Sequence, residues 1–168
     1  VQEPGLAELF HVEGELLLEL SLSFPGCFQE PVHDLKGNSL SRMGAKGDLF
    51  RMSKWVNGEF YHQVKNRADL FHSAGKSFAE MDLLLQQHIH PILQRRKIHW
   101  DLQNLIDIEG NIADIRDVNL RKKVHYFMMQ YKLQVVPNLP RLRKSIIHND
   151  LNDWNLLVDK QTISGIID

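Results

Sequence analysis

Cysteine is almost missing from this sequence, with Cys27 as its single representative. One thiol makes no internal disulfide and no cysteine-based zinc site, so a stapled secreted scaffold and a zinc ribbon are both excluded. Cys27 reads as a small, partly buried hydrophobe, in keeping with a cytoplasmic, reducing setting. Long apolar runs are also lacking, and none approaches the about 20 residues that a membrane helix needs. The opening "VQEPGLAELF" has no basic stretch ahead of an apolar one, so no signal peptide is visible. Charge of one sign is absent too: 20 Lys and Arg face 21 Asp and Glu, for a formal net charge of -1. Without a basic field, nucleic acid is not the expected partner. Two local basic clusters, Gln94-Arg95-Arg96-Lys97 and Arg141-Leu142-Arg143-Lys144, read as solvated surface. Internal repeats and low-complexity segments are missing as well.

What remains is an ordinary globular composition, 43% hydrophobic over 168 residues, enough for one domain with a real core or one and a half small lobes. The stretch "LAELFHVEGELLLELSLSF" predicts a helix that Gly14 weakens and Pro25-Gly26 ends. Pro31, Gly37, Gly44 and Gly47 then mark turns. "DLFRMSKWV" alternates and predicts a strand, followed by the turn signal Asn57-Gly58. From Tyr61 the period changes. Leu70, Phe71, Ala74, Phe78, Met81, Leu84 and Leu85 recur at helical steps and predict one apolar helix face. A second helix is expected from 117 to 136, with Asp117 as its N-cap and Pro137 and Pro140 as its stop. Its expected face is Leu120, Val124, Phe127, Met128 and Tyr131. Three short strands should follow, "SIIH", "LLV" and "ISGII", the last two joined by the hairpin connection "DKQT".

The chemistry sits among those strands. "SIIHNDLNDWNLLV" interrupts apolar runs with His148, Asn149, Asp150, Asn152, Asp153 and Asn155, and "ISGIID" ends on Asp168. Strands at both ends would pin such a loop, and rigid strand ends hold reactive groups well. Asn149 stands where the backbone is expected to need a positive φ, which Asn tolerates. His148 is expected to support the loop through its backbone. Asp150, Asn155 and Asp168 can converge as three oxygen donors, a set that suits a hard cation such as Mg²⁺. The division of labour expected of a phosphoryl transferase then follows. Asn155 and Asp168 hold the metal while Asp150 orients an attacking hydroxyl. Because the proton moves late in a loose transition state, positioning matters more than the basicity of a carboxylate near pKa ~3.9. The bland alternative is a polar turn between two strands. A weaker one is a His-based metal protein built on His88, His90 and His99.

The loop resembles the H-G-D-x-x-x-x-N segment, and "ISGIID" the following I-D-F-G-D segment, of the aminoglycoside phosphotransferase and choline kinase superfamily. It is most similar to the hydroxylysine kinase-like branch. "FRMSKWVNGEF" resembles the hinge strand, "FHSAGKSFAEMDLLLQQHIHPIL" the helix after it, and "IHWDL" the branch's W-D-L segment. The resemblance implies an α+β, protein-kinase-like fold: a partial N-terminal lobe and hinge over 1–57, and a mainly helical C-terminal lobe over 58–168. A small β hairpin would carry the catalytic loop, with the C-terminal lobe truncated after the metal-binding Asp168. It implies catalysis by Asp150 and Mg²⁺ on Asn155 and Asp168. ATP or GTP would lie against backbone groups of Ser53, Lys54, Trp55 and Val56. His148, Asp153 and Trp100 would support the loop or the substrate. The implied reaction moves a γ-phosphate to the hydroxyl of a small amine-bearing alcohol of the hydroxylysine, homoserine, choline or aminoglycoside class, with neither nucleic acid nor membrane as partner. The chain departs from the superfamily at Asn149, where Gly is commoner, and shows no phosphate-covering turn or strand Lys in its first 50 residues; Lys36 and Lys46 lie among turn signals. A non-catalytic binding module or an inactive fragment is the alternative those departures raise.

Overall fold

A computed structural model of the chain describes residues 5–65, 68, 70–98 and 101–168. By packing the chain divides into two units, Val1–Gln94 with Ser145–Asp168, and Arg95–Lys144. Residues on both sides of Asn57-Gly58 lie in the first unit.

In the first unit, helix α1 spans Leu6–Ser23. Its Gly14 does more than weaken a helix: a Cβ there would stand 3.2 Å from the Ser39 hydroxyl, so the missing side chain admits a neighbouring loop. Four short strands follow: β1 (Pro31–Val32), β2 (Ser41–Met43), β3 (Asp48–Phe50) and β4 (Met52–Ser53). The single strand expected over "DLFRMSKWV" is broken at Arg51. Its first part pairs antiparallel with β2, Ser41 opposite Phe50, and its second with β1, Pro31 opposite Ser53. Alternation alone does not reveal that one run serves two partners.

Strand β5 (Glu59–Phe60) leads through a 3-10 turn, Tyr61–Gln63, toward helix α2, Leu70–Leu85. Helix α2 buries Leu70, Ala74, Met81 and Leu85, as their spacing predicts, but Phe71 is 68% exposed. One residue past Leu70 is a rotation of about 100° about the axis, which takes Phe71 off the stripe. Leu70 and Met81 are 1% exposed, and full burial of such a side chain stabilises by roughly 1.5–3 kcal/mol. Helix α3, Pro91–Arg95, is short.

Strands β6 (Leu156–Asp159) and β7 (Thr162–Ile166) form the expected hairpin. Lys160 and Gln161 turn it with φ 47° and 71°, the left-handed pair that matches strand twist in two-residue hairpins. The sheet order is β5-β6-β7, antiparallel, with Phe60 opposite Leu157 and Leu156 opposite Ile166. "SIIH" is not a strand: residues 145–148 have no ladder partner, although Ile146 packs on the core. That core gathers Leu20, Phe28, Tyr61, Met81, Leu156 and Ile166 from both helices and the sheet.

The second unit holds a 3-10 winding, Leu102–Asp114, that no sequence period announced, and helix α4, Val118–Gln130. Asp117 caps α4 as expected, accepting the N–H groups of Asn119 at 2.8 Å and Leu120 at 2.9 Å. The α-helix ends sooner than expected and passes into a π turn, Tyr131–Val135, and a 3-10 turn, Val136–Arg141. Of the expected face only Met128 and Tyr131 are buried, while Leu120 and Phe127 stay 52% and 68% exposed. Among the described residues, no helix is long and apolar enough to cross a membrane. Helices interleaved with small antiparallel sheets make the chain α+β.

Candidate active site

The loop of residues 148–155 leaves the core at Ile146, touches it again at Leu151 and enters β6 at Leu156. Asn149 has φ 70°, the left-handed conformation expected of it. The backbone N–H of Asp150 lies 3.4 Å from His148 Nδ1, so His148 meets the loop backbone through a long hydrogen bond.

Beyond Asn149 the loop is knitted by amides. Asn155 is buried at 8% exposure. Its Nδ2 donates to the Asp150 carbonyl at 2.9 Å and to Asp150 Oδ2 at 3.3 Å. Asn152 Nδ2 donates to Asp150 Oδ1 at 2.8 Å, and Asn152 Oδ1 accepts the Trp154 N–H at 2.8 Å. The five-residue spacing between Asp150 and Asn155 therefore closes on itself, as the sequence reading requires. Asn152 is not among the expected site residues, although an Asn side chain that accepts the N–H two residues on, here that of Trp154, is a turn-capping arrangement such residues favour.

The end of β7 is drawn to the same place. Ile167 N–H donates to the Asn155 carbonyl at 2.9 Å, and Ile166 N–H to the Cys27 carbonyl at 2.8 Å. Asp168 has φ 75°, and its N–H donates to Gln29 Oε1 at 3.0 Å. Gln29 carried no signal in the sequence, because nothing local links it to Asp168. Neither Asp150 nor Asp168 pairs with a Lys, Arg or His among the described residues, so both carboxylates remain open to a cation or a hydroxyl.

These donors fit a hard metal ion. Asn155 turns its NH₂ toward Asp150, and its Oδ1 receives no hydrogen bond from any described residue. A carbonyl oxygen and a carboxylate that meet no partner among the described residues are ligands of the kind Mg²⁺ takes. No group of three or more His, Cys, Asp and Glu set to hold a metal occurs among the described residues.

The expected nucleotide-side segment is brought close to β7. Val56 is buried, and a Cβ on Gly165 would meet its Cγ1 at 2.6 Å. Lys54 gives its N–H to the Glu30 carbonyl at 2.8 Å and its ammonium to Glu30 Oε1 at 2.7 Å, so this N–H is already occupied. Ser53 lies in β4, and Trp55 is 86% exposed. The N–H groups of Trp55 and Val56 have no hydrogen bond among the described residues. Asp153 takes the His62 N–H on its backbone carbonyl at 3.2 Å. Trp100 lies outside the described residues.

Comparison with known proteins adds the lineage. The model of the phosphotransferase enzyme family (APH) matches residues 32–168. Hydroxylysine kinase of Danio rerio is 31% identical over 128 residues, covering 71% of this chain and 36% of that protein. Its Xenopus laevis counterpart is 29% identical over 149 residues, covering 83% and 40%, and that of Mus musculus 28% over 140 residues, covering 76% and 37%. The chain thus spans somewhat over a third of the length of these relatives. With the family model running from β1 through the Asp150 loop to Asp168, the chain belongs to the phosphotransferase enzyme family, in its hydroxylysine kinase-like branch.

Proposed function

We propose that the protein carrying this chain moves the γ-phosphate of ATP or GTP to the hydroxyl of a small amine-bearing alcohol, hydroxylysine first among the candidates. One observation carries the reading: Asn155 holds Asp150 through its NH₂ while its own Oδ1 stays open, beside the backbone that leads to Asp168. In this reading Asp150 accepts a hydrogen bond from the acceptor hydroxyl, aims its oxygen at the phosphorus and takes its proton late in transfer. Asn155 Oδ1 and the Asp168 carboxylate are the ligands for Mg²⁺. The chemistry a magnesium ion supplies when bound there is neutralisation of charge across the transferring phosphates. The carboxylates of Asp150 and Asp168, which meet no Lys, Arg or His among the described residues, also suit an ammonium group on the acceptor. The hydroxylysine candidate rests on the names of the relatives. The N–H groups of Trp55 and Val56 are the free donors for a purine edge, and Asn57-Gly58 marks the boundary between the nucleotide-side and acceptor-side lobes. The lone thiol of Cys27 fits the cytosol.

The test is a transfer assay of the full-length protein with Mg-ATP and Mg-GTP against hydroxylysine, homoserine, choline, ethanolamine and an aminoglycoside. Asp150→Asn should lower kcat by about 10²- to 10⁴-fold and leave nucleotide binding intact. Turnover like that of the wild type would remove Asp150 from its role. Lys36 and Lys46 both lie in turns rather than strands, which favours a second reading, a kinase-fold binding module without catalysis. A full-length protein that binds nucleotide and phosphorylates none of the five alcohols would support that one.

A further inference from the structure

Trp154 stands 64% exposed in the middle of the polar loop, yet it is not free. Its indole stacks on the His62 imidazole, with ring centroids 3.8 Å apart and planes 29° from parallel. His62 is a rigid post. Phe60 before it is paired in β5 opposite Leu157, and Tyr61 beside it is 5% exposed in the core. The His62 N–H grips the loop a second time at the Asp153 carbonyl, 3.2 Å away. The His62 Nδ1 is buried and makes no hydrogen bond among the described residues, so stacking rather than a polar contact at Nδ1 sets the ring.

From Trp154 the contact continues to the reacting group. The Trp154 backbone N–H, held in place by the stacked ring, donates to Asn152 Oδ1 at 2.8 Å, and Asn152 Nδ2 donates to Asp150 Oδ1 at 2.8 Å. Strand β5 is thereby connected to the Asp150 carboxylate through one stacked pair and two hydrogen bonds. Asn155 restrains the other oxygen at 3.3 Å, a longer and weaker contact. The aim of Asp150 therefore depends on the relay through Trp154.

We propose that His62 is the positioning residue of the catalytic loop, clamping Trp154 so that Asn152 aims the Asp150 carboxylate. The inference rests on the phosphotransferase reading for what Asp150 does, and on the stack and the two hydrogen bonds for how it is held. An apolar ring should serve as well as imidazole, since Nδ1 has no partner. A side chain without a ring should not serve.

The experiment uses the full-length protein. His62→Ala should lower kcat by about 10- to 100-fold, the cost of a small misplacement at the reacting group, with the nucleotide KM changed less than about twofold. His62→Phe should restore kcat to within about threefold of wild type. Trp154→Leu cuts the same relay from its other side and decides the matter if His62→Ala does not fold. It should show the same loss, and the double variant little more than either alone. In protein labelled with 5-fluorotryptophan, the ¹⁹F resonance that Trp154→Phe removes should move in His62→Ala and hold its place in His62→Phe. Unchanged kcat in His62→Ala or in Trp154→Leu, or a His62→Phe variant as impaired as His62→Ala, would overturn the proposal. A wild-type protein that phosphorylates no alcohol would sink the phosphotransferase reading instead. The fluorine signal then decides the clamp alone, and a Trp154 resonance that stays in place in His62→Ala defeats it.

Discussion

At the scale of single residues, backbone cost and hydrogen bonding meet wherever the site is shaped. Asn149 and Asp168 both take positive φ without being glycine, a conformation worth about 1–2 kcal/mol in lost stability. One stands directly before Asp150 and the other is itself the proposed ligand, so the fold accepts strain at both ends of the constellation. Asp34 shows the opposite balance. Its carboxylate accepts the Asn38 N–H at 2.9 Å, the Ser41 hydroxyl at 2.7 Å, both oxygens of the carboxylate meet Asn38 Nδ2, and the Lys36 N–H lies at 2.8 Å. These bonds, the Asn38 backbone bond first, hold its pKa well below the usual carboxylate range. A lowered folded value means stability fully present above the unfolded pKa of about 3.9 and lost as pH falls from there through the folded value. Asp34→Asn should therefore flatten the pH dependence of stability below about pH 4, compared with wild type, in urea unfolding followed by circular dichroism. An unchanged acid slope would show that the loop around Asp34 does not report its ionisation.

At the scale of elements, the β6-β7 hairpin is what gathers the sequence motif into one candidate site. It brings Asn155, just ahead of β6, and Asp168, just past β7, to the same open end, because Leu156 and Ile166 stand opposite each other. It also receives the Val56 segment through a gap that Gly165 leaves open. A methyl at Gly165 would press on Val56 Cγ1 at 2.6 Å and on Leu157 Cδ1 at 3.2 Å. Gly165→Ala should cost about 1–3 kcal/mol by overpacking, read as a lowered midpoint in thermal unfolding; a midpoint equal to wild type would mean that the segment moves aside freely. Much of this layer was legible in advance. Helix α2, the Asp117 cap and the β6-β7 hairpin come from periods and turn residues that act locally. The split at Arg51 was not legible, since β3 and β4 exist through partners at Ser41 and Pro31. "SIIH" reads as a strand by composition and is none, because no neighbouring strand pairs with it. Within the candidate site, the contact between Asp150 and Asn155 follows from their spacing, whereas His62 and Gln29 reach the loop only through tertiary packing.

At the scale of the whole molecule, the two units differ in charge as well as in packing. Residues 95–144 carry 11 Lys and Arg against 5 Asp and Glu, leaving 9 against 16 for the rest of the chain. The acid-rich part holds the proposed metal and acceptor site, and the base-rich part leaves the first unit and returns to it through the two basic clusters. Arg95, Arg96, Lys97, Arg141, Arg143 and Lys144 are all exposed, and residues 96–98 and 142–148 lie outside helix and strand. Lys122 and Lys123 are equally exposed but lie inside α4. A protease needs backbone it can draw into an extended form, and such segments open at little cost whereas a packed helix does not. Brief digestion with trypsin should therefore cut first around residues 95–97 and 141–144, on both sides of α4, releasing pieces that mass spectrometry can place. Lys122 and Lys123 should be cut only later. Early cleavage inside α4, or at Lys76 inside α2, would mean that these helices open more easily than the crossings between the units, and the division of the chain at 94 and 145 would fail.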